Sequence, residues 1–98
     1  REAFPGLYLK PILGKIGEPV MQLIESMDRL PEGSAAMVTE LLTTGSMRRR
    51  LQDIGLIEGT RIECLLRSPA GDPAAYLIRG AVIALRAEDS SRVRVELC

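Results

Sequence analysis

Leu51-Gln52-Asp53-Ile54-Gly55-Leu56-Ile57-Glu58-Gly59-Thr60 is the stretch on which the fold turns. Before it, Met47, Leu51 and Ile54 recur at i, i+4 and i+7, the spacing of one helix face. Gly55 follows directly, where a left-handed residue ends a helix. Glu58-Gly59 then reads as a tight turn. Beyond it the period changes to two: Ile62, Cys64 and Leu66 fall on one face of a strand, and Arg61, Glu63 and Arg67 on the other. Two glycines between a helical and an alternating pattern constrain a backbone path and carry little chemistry of their own. They do not form a phosphate-binding loop, because no Gly-Lys-Ser/Thr follows and the helix precedes the glycines.

Working upstream, Thr43-Thr44-Gly45 interrupts the chain, and Ser46 is placed to cap the helix. Ala36 to Leu42 reads as a strand, preceded by the turn Leu30-Pro31-Glu32-Gly33. Downstream, Ala70-Gly71-Asp72-Pro73 is a loop of turn residues, with Asp72 expected to fix the turn through its side chain. Tyr76 and Ile78 alternate in a strand that Arg79-Gly80 ends. Ile83 and Leu85 oppose Val82, Ala84 and Arg86 in the next, and Val93, Val95 and Leu97 oppose Arg92, Arg94 and Glu96 in the last. Five short strands in roughly seventy residues, spaced by turns, predict a mainly β fold: a small partly open barrel with one short helix after the first strand.

Residues 1–29 differ in character. Both lysines, Lys10 and Lys15, fall there with Pro5, Pro11 and Pro19, and every later basic residue is Arg. Glu18-Pro19 resembles a helix start, after which Val20, Leu23, Ile24 and Met27 recur at helical spacing. The expected organisation is an N-terminal extension with an amphipathic helix over residues 1–29 and a barrel over residues 30–98. The apolar stripe of residues 18–28 then packs on the barrel, on a second copy of the chain or on another protein.

Composition limits the chemistry. The 98 residues are 46% hydrophobic and carry 13 basic and 13 acidic side chains, so no net field draws the chain to nucleic acid or anionic membrane. Phe4 and Tyr8 lie in the extension, leaving the barrel without a stacking platform for bases. There is no His, so neither a Ser-His-Asp nor a Cys-His arrangement can be assembled, and an enzyme is not expected. Cys64 alternates inward as a small hydrophobe, and Cys98 is terminal; neither belongs to a CxxC framework. Reduced thiols fit a cytoplasmic setting. No apolar run approaches the ~20 residues that cross a bilayer. The chain opens at Arg1 and not at Met, so it carries no information on a preceding targeting segment.

Leu51 to Thr60, the Gly71-Asp72-Pro73 loop and Arg79-Gly80-Ala81-Val82-Ile83-Ala84-Leu85-Arg86, in that order and at these spacings, resemble the FeoA family, ferrous-iron transport protein A. The resemblance runs from about Leu30 to Leu97. It implies an SH3-like barrel that serves as a small cytoplasmic accessory to the membrane ferrous-iron transporter, whose cytosolic part is a GTPase. The same barrel forms the C-terminal domain of metal-dependent repressors of the diphtheria-toxin-repressor type. A metal-responsive regulatory domain is therefore the alternative expectation, although the winged helix and the His-, Glu- and Cys-rich metal region of those repressors are not found in this chain. No resident cofactor is expected, and any divalent-metal binding is expected to be weak or transient.

One local rule is broken. Arg48, Arg49 and Arg50 crowd the first helical turn, where positive charge opposes the macrodipole by about 0.3–1 kcal/mol per residue at low salt. Arg49 also occupies the place where Glu or Gln would complete a capping box with Ser46. Two readings follow: a solvated face with Arg49 near Asp53, or a contact with an acidic partner surface. Asp53, Gly55, Gly59, Gly71, Asp72, Pro73, Arg79 and Gly80 are expected to shape turns and not to bind ligands.

Overall fold

The computed structural model describes residues 8–13 and 19–98, with side chains described from Leu23 onward. Seven strands form one antiparallel sheet: β1 (Tyr8–Leu13), β2 (Pro19–Ser26), β3 (Ala35–Leu41), β4 (Arg61–Arg67), β5 (Ala74–Ile78), β6 (Ala81–Leu85) and β7 (Val93–Leu97). Their order across the sheet is β1-β2-β7-β3-β4-β5-β6. A helix α1 (Gly45–Asp53) joins β3 to β4, and a single helical turn α2 (Ala87–Ser90) joins β6 to β7. This is the mainly β, SH3-like partly open barrel with a helix after its first barrel strand.

The curl of the sheet comes from two bulges. One falls between Val38 and Glu40 of β3, the other between Cys64 and Leu66 of β4. Each adds a residue to one strand and bends it locally. That core is Met27, Leu30, Ala36, Val38, Leu51, Leu56, Ile62, Cys64, Tyr76, Ile78, Val93 and Val95, with smaller or partly covered neighbours around it. The inward alternation expected for β5 and β7 is present, with Tyr76, Ile78, Val93 and Val95 all buried.

Two expectations are corrected. The segment from Pro19 is a strand and not an amphipathic helix; only Met27–Arg29 turns, as a 3₁₀ helix, while Glu18 lies outside the described residues. β2 pairs with β1 from Leu13↔Pro19 to Tyr8↔Ile24 and with β7 from Ile24↔Glu96 to Ser26↔Arg94. An isolated helix of this length is marginal in water, whereas the free edge of β7 offers backbone partners at once. Ile24 is covered while Leu23 before it is exposed, and Glu25 after it is also buried.

The second correction concerns β4. Leu66 was expected inward with Ile62 and Cys64, yet it is 55% exposed. The bulge at Leu65 resets the alternation, turning Leu66 out and Arg67 in. The Arg67 guanidinium donates to the carbonyls of Asp28 (2.7 Å), Leu30 and Gly71 (3.4 Å), so a half-buried charge is matched by backbone acceptors.

Candidate functional site

α1 takes its start from Thr44, the N-cap, whose side chain makes no capping hydrogen bond; Ser46 lies inside the helix and does not cap it. No acidic residue occupies the first turn. The helix end is better built. Leu56 N donates to Leu51 O (3.0 Å) and Gly55 N to Gln52 O (3.0 Å), the paired bonds of a Schellman motif, with Gly55 at φ +104°. Leu51 and Leu56 are both fully buried at this junction. The opening motif is thus a helix stop whose two leucines enter the core.

Arg48, Arg49 and Arg50 do not form one patch. Successive helical residues are rotated by about 100°, so three in a row fan around the axis. Arg48 Nη1 donates to Leu41 O (3.2 Å) and Thr43 O (3.4 Å), at the end of β3. Arg50 Nη2 lies 2.8 Å from Asp89 Oδ1 on α2. With Arg50 61% exposed, solvent screening limits that pair to at most about 1 kcal/mol. Among the described residues, the Arg49 side chain makes no hydrogen bond or ion pair, and the pairing with Asp53 one turn on that one of the two readings contained does not form; both side chains are exposed. Arg49 is therefore the arginine left available, presented between neighbours that are held.

Beside this helix lies a groove of about 410 Å³ lined by Thr39, Glu40, Leu41, Arg48, Gln52, Ile57 and Glu58. A smaller depression of about 200 Å³ is formed by Ser46, Met47 and Arg50. Exposed Leu42 and Ile57 add apolar surface near the charges. The groove mixes acids, the Arg48 guanidinium and accessible aliphatic groups, a surface suited to contact with another protein, while Arg49 lines neither hollow.

The turn residues connect to the helix. Gly55 approaches the β5–β6 turn so closely that a Cβ there would lie 2.8 Å from Arg79 Cδ and 3.2 Å from Ile78 Cγ2. Arg79 and Gly80 both have positive φ (+52° and +83°), the backbone of a two-residue hairpin turn. Gly59 donates to Val38 O (2.8 Å) and Gly71 to Ser68 O (2.7 Å). Asp72 precedes a cis bond to Pro73, and its Oδ1 accepts from Ala87 N (2.8 Å), capping α2 instead of fixing its own turn. Asp72 thus supports the short helix that carries Asp89, the partner of Arg50. The sequence pattern did not disclose α2, because four residues are too few to show a period, and it did not disclose Arg67, which depends on the bulge.

A metal centre does not form among the described residues: no group of three or more His, Cys, Asp or Glu side chains comes together. Cys64 is fully buried, and burial pushes its thiol pKa up, which disfavours the thiolate that a metal requires. Cys98 is exposed at the end of the chain. Among the described residues no helix is long and apolar enough to cross a membrane.

The architecture is that of a small SH3-like barrel domain. Residues 25–97 match the FeoA domain model, and the chain belongs to the FeoA family, which is involved in ferrous-iron transport. It is 30% identical over 71 residues to an Fe(2+) transport protein A/Fe(2+) transporter FeoB fusion protein of Porphyromonas gingivalis, covering 72% of this chain but only 8% of that relative's length. Among solved structures it resembles the zinc-complexed FeoA of Stenotrophomonas maltophilia, described as a prokaryotic SH3 domain protein, at 25% identity and a TM-score of 0.63, covering 70% of this chain and 86% of that one. A manganese-dependent transcriptional repressor shares the fold at 17% identity and a TM-score of 0.71, over 87% of this chain and 48% of the repressor.

Proposed function

We propose that this chain is an accessory and regulatory module of ferrous-iron uptake that docks on the cytosolic, GTPase-bearing part of the membrane ferrous-iron transporter. The observation that carries the reading is the fusion relative, in which the two components occupy one polypeptide. Tethering raises the effective concentration of one component at the other, so fusion is favourable where the two act in contact. The docking surface is the exposed face of α1, with Arg49 as the available cation. Arg48 and Arg50 shape that face more than they offer charge, since both are engaged within the chain.

Titration calorimetry of the chain against the transporter's soluble domain tests the reading. Arg49→Glu is expected to weaken binding at least about fivefold, with the effect shrinking as salt is raised. Unchanged affinity removes α1 from the interface, and failure of the unsubstituted chain to bind removes the docking reading altogether.

A second reading, a metal-responsive regulatory domain, draws on the repressor likeness, which covers 87% of this chain. It predicts stoichiometric heat on titration with Mn(II) or Fe(II). The absence of a ligand cluster among the described residues favours the first reading.

A further inference from the structure

We propose that β6 is a self-pairing edge, through which two copies of this chain join their sheets about a two-fold axis at Ile83. β6 is the last strand of the sheet on one side, as β1 is on the other. The two edges are built differently. β1 carries Lys10 and Pro11, a charge and a residue without an N–H, both of which oppose strand addition. β6 is Ala81-Val82-Ile83-Ala84-Leu85, with no charge, no proline and no bulge in its pairing to β5. An unguarded edge of this kind is a template for another strand.

The pairing geometry shows which groups are open. The turn Arg79-Gly80 joins Ile78 and Ala81 directly, and both turn residues have positive φ. Such a turn closes on a pair that exchanges both hydrogen bonds, so by alternation Ala81, Ile83 and Leu85 bond to β5. Val82 and Ala84 direct their N–H and C=O groups away from it, and none of these groups finds a partner among the described residues.

Self-complementarity identifies the occupant. An antiparallel second copy centred on Ile83 sets Val82 opposite Ala84 and Ala84 opposite Val82, so both open pairs close at once, as an isologous two-fold contact requires. The side chains agree with this register. On the outer face, Leu66, Ala75 and Ala84 form one cross-strand row, and Glu63, Leu77 and Val82 the next. Leu66 is 55% and Val82 66% exposed. Pairing two β6 strands joins the row ending in Ala84 to the row ending in Val82, giving two bands that are apolar from Leu66 of one copy to Leu77 of the other and end in Glu63. With 13 charges of each sign, the chain has no net charge to oppose the association.

Sedimentation of the 98-residue chain from micromolar to millimolar concentration, with hydrogen exchange at each end of the range, tests this. A monomer–dimer equilibrium is expected, with the Val82 and Ala84 amides becoming protected as concentration rises. Val82→Lys places a charge on the edge, and Ala84→Pro removes an N–H that faces away from β5. Each is expected to weaken dimerisation at least tenfold while leaving the thermal transition of the monomer in place. A chain that stays monomeric overturns the proposal, as does a dimer that both variants leave unchanged. An open-ended series of oligomers, which pairing of β6 with β1 of another copy would produce, also overturns it. If either variant fails to fold, concentration-dependent protection of the two amides in the unsubstituted chain decides.

Discussion

Replacing Gly55 by Ala perturbs the junction on which the fold turns, and the structure sets the size of the effect. The residue sits at φ +104°, and left-handed backbone costs an L-residue about 1–2 kcal/mol. The added Cβ would lie 2.8 Å from Arg79 Cδ and 3.2 Å from Ile78 Cγ2, a packing conflict of the kind that costs about 1–3 kcal/mol. The expected loss is therefore about 2–5 kcal/mol, a large share of the roughly 5–15 kcal/mol that holds a domain of this size. Urea unfolding followed by circular dichroism measures it. Gly33→Ala is the control, because Gly33 also has positive φ (+84°) but an added Cβ meets nothing within 4 Å. The difference between the two variants isolates the approach to Arg79. Adding Arg79→Gly to Gly55→Ala removes the flexible side chain that the new methyl meets, so the pair is expected to be non-additive by at least about 0.5 kcal/mol. Equal losses at positions 33 and 55, together with additivity in the double variant, would refute the argument that close packing against the β5–β6 turn makes glycine necessary.

Arg67→Met keeps the aliphatic stem and leaves the carbonyls of Asp28, Leu30 and Gly71 without their donor; a loss of about 2–4 kcal/mol in urea unfolding is expected, and a loss below about 1 kcal/mol would show that solvent replaces the guanidinium. Glu25 is buried, and burial raises its pKa from 4.5 in spite of the hydrogen bond from Ser26 N (2.9 Å) and the nearby Arg29. A carboxyl whose folded pKa is raised leaves the folded state with more bound protons than the unfolded state, so this group's contribution to stability falls as pH rises from about 4.5 through the raised value. Glu25→Gln is expected to be more stable than the parent at neutral pH and to lose that part of the pH dependence; parallel stability–pH curves for the two proteins would overturn the assignment.

Much of the barrel was legible because its signals are local. The stop after Ile54 follows from Gly55, and the hairpin at Arg79-Gly80 joins two strands whose inward residues alternate as expected. Inward burial of Cys64 was likewise readable from its alternation with Ile62, although Leu66, placed on the same face by that pattern, is exposed. The basic helix could be located, but the different situations of its arginines could not. Arg48 meets the end of β3, Arg50 meets Asp89, and Arg49 is left open. Asp89 is thirty-nine positions beyond Arg50 and sits on a helix too short to announce itself.

The sequence by itself determined the helix stop, the positions of the turns and the family, because left-handed glycines, apolar period and turn residues act over a few neighbours. Tertiary structure decided the rest. Residues from Pro19 became a strand because β7 had an edge to offer, although their spacing suited a helix equally well. Leu66 went to the surface and Arg67 to a half-buried place against the carbonyls of Asp28 and Leu30 because one bulged residue reverses the side chains after it. Such choices depend on which backbone groups remain unpaired once the rest of the sheet has formed, a quantity that no window of sequence contains.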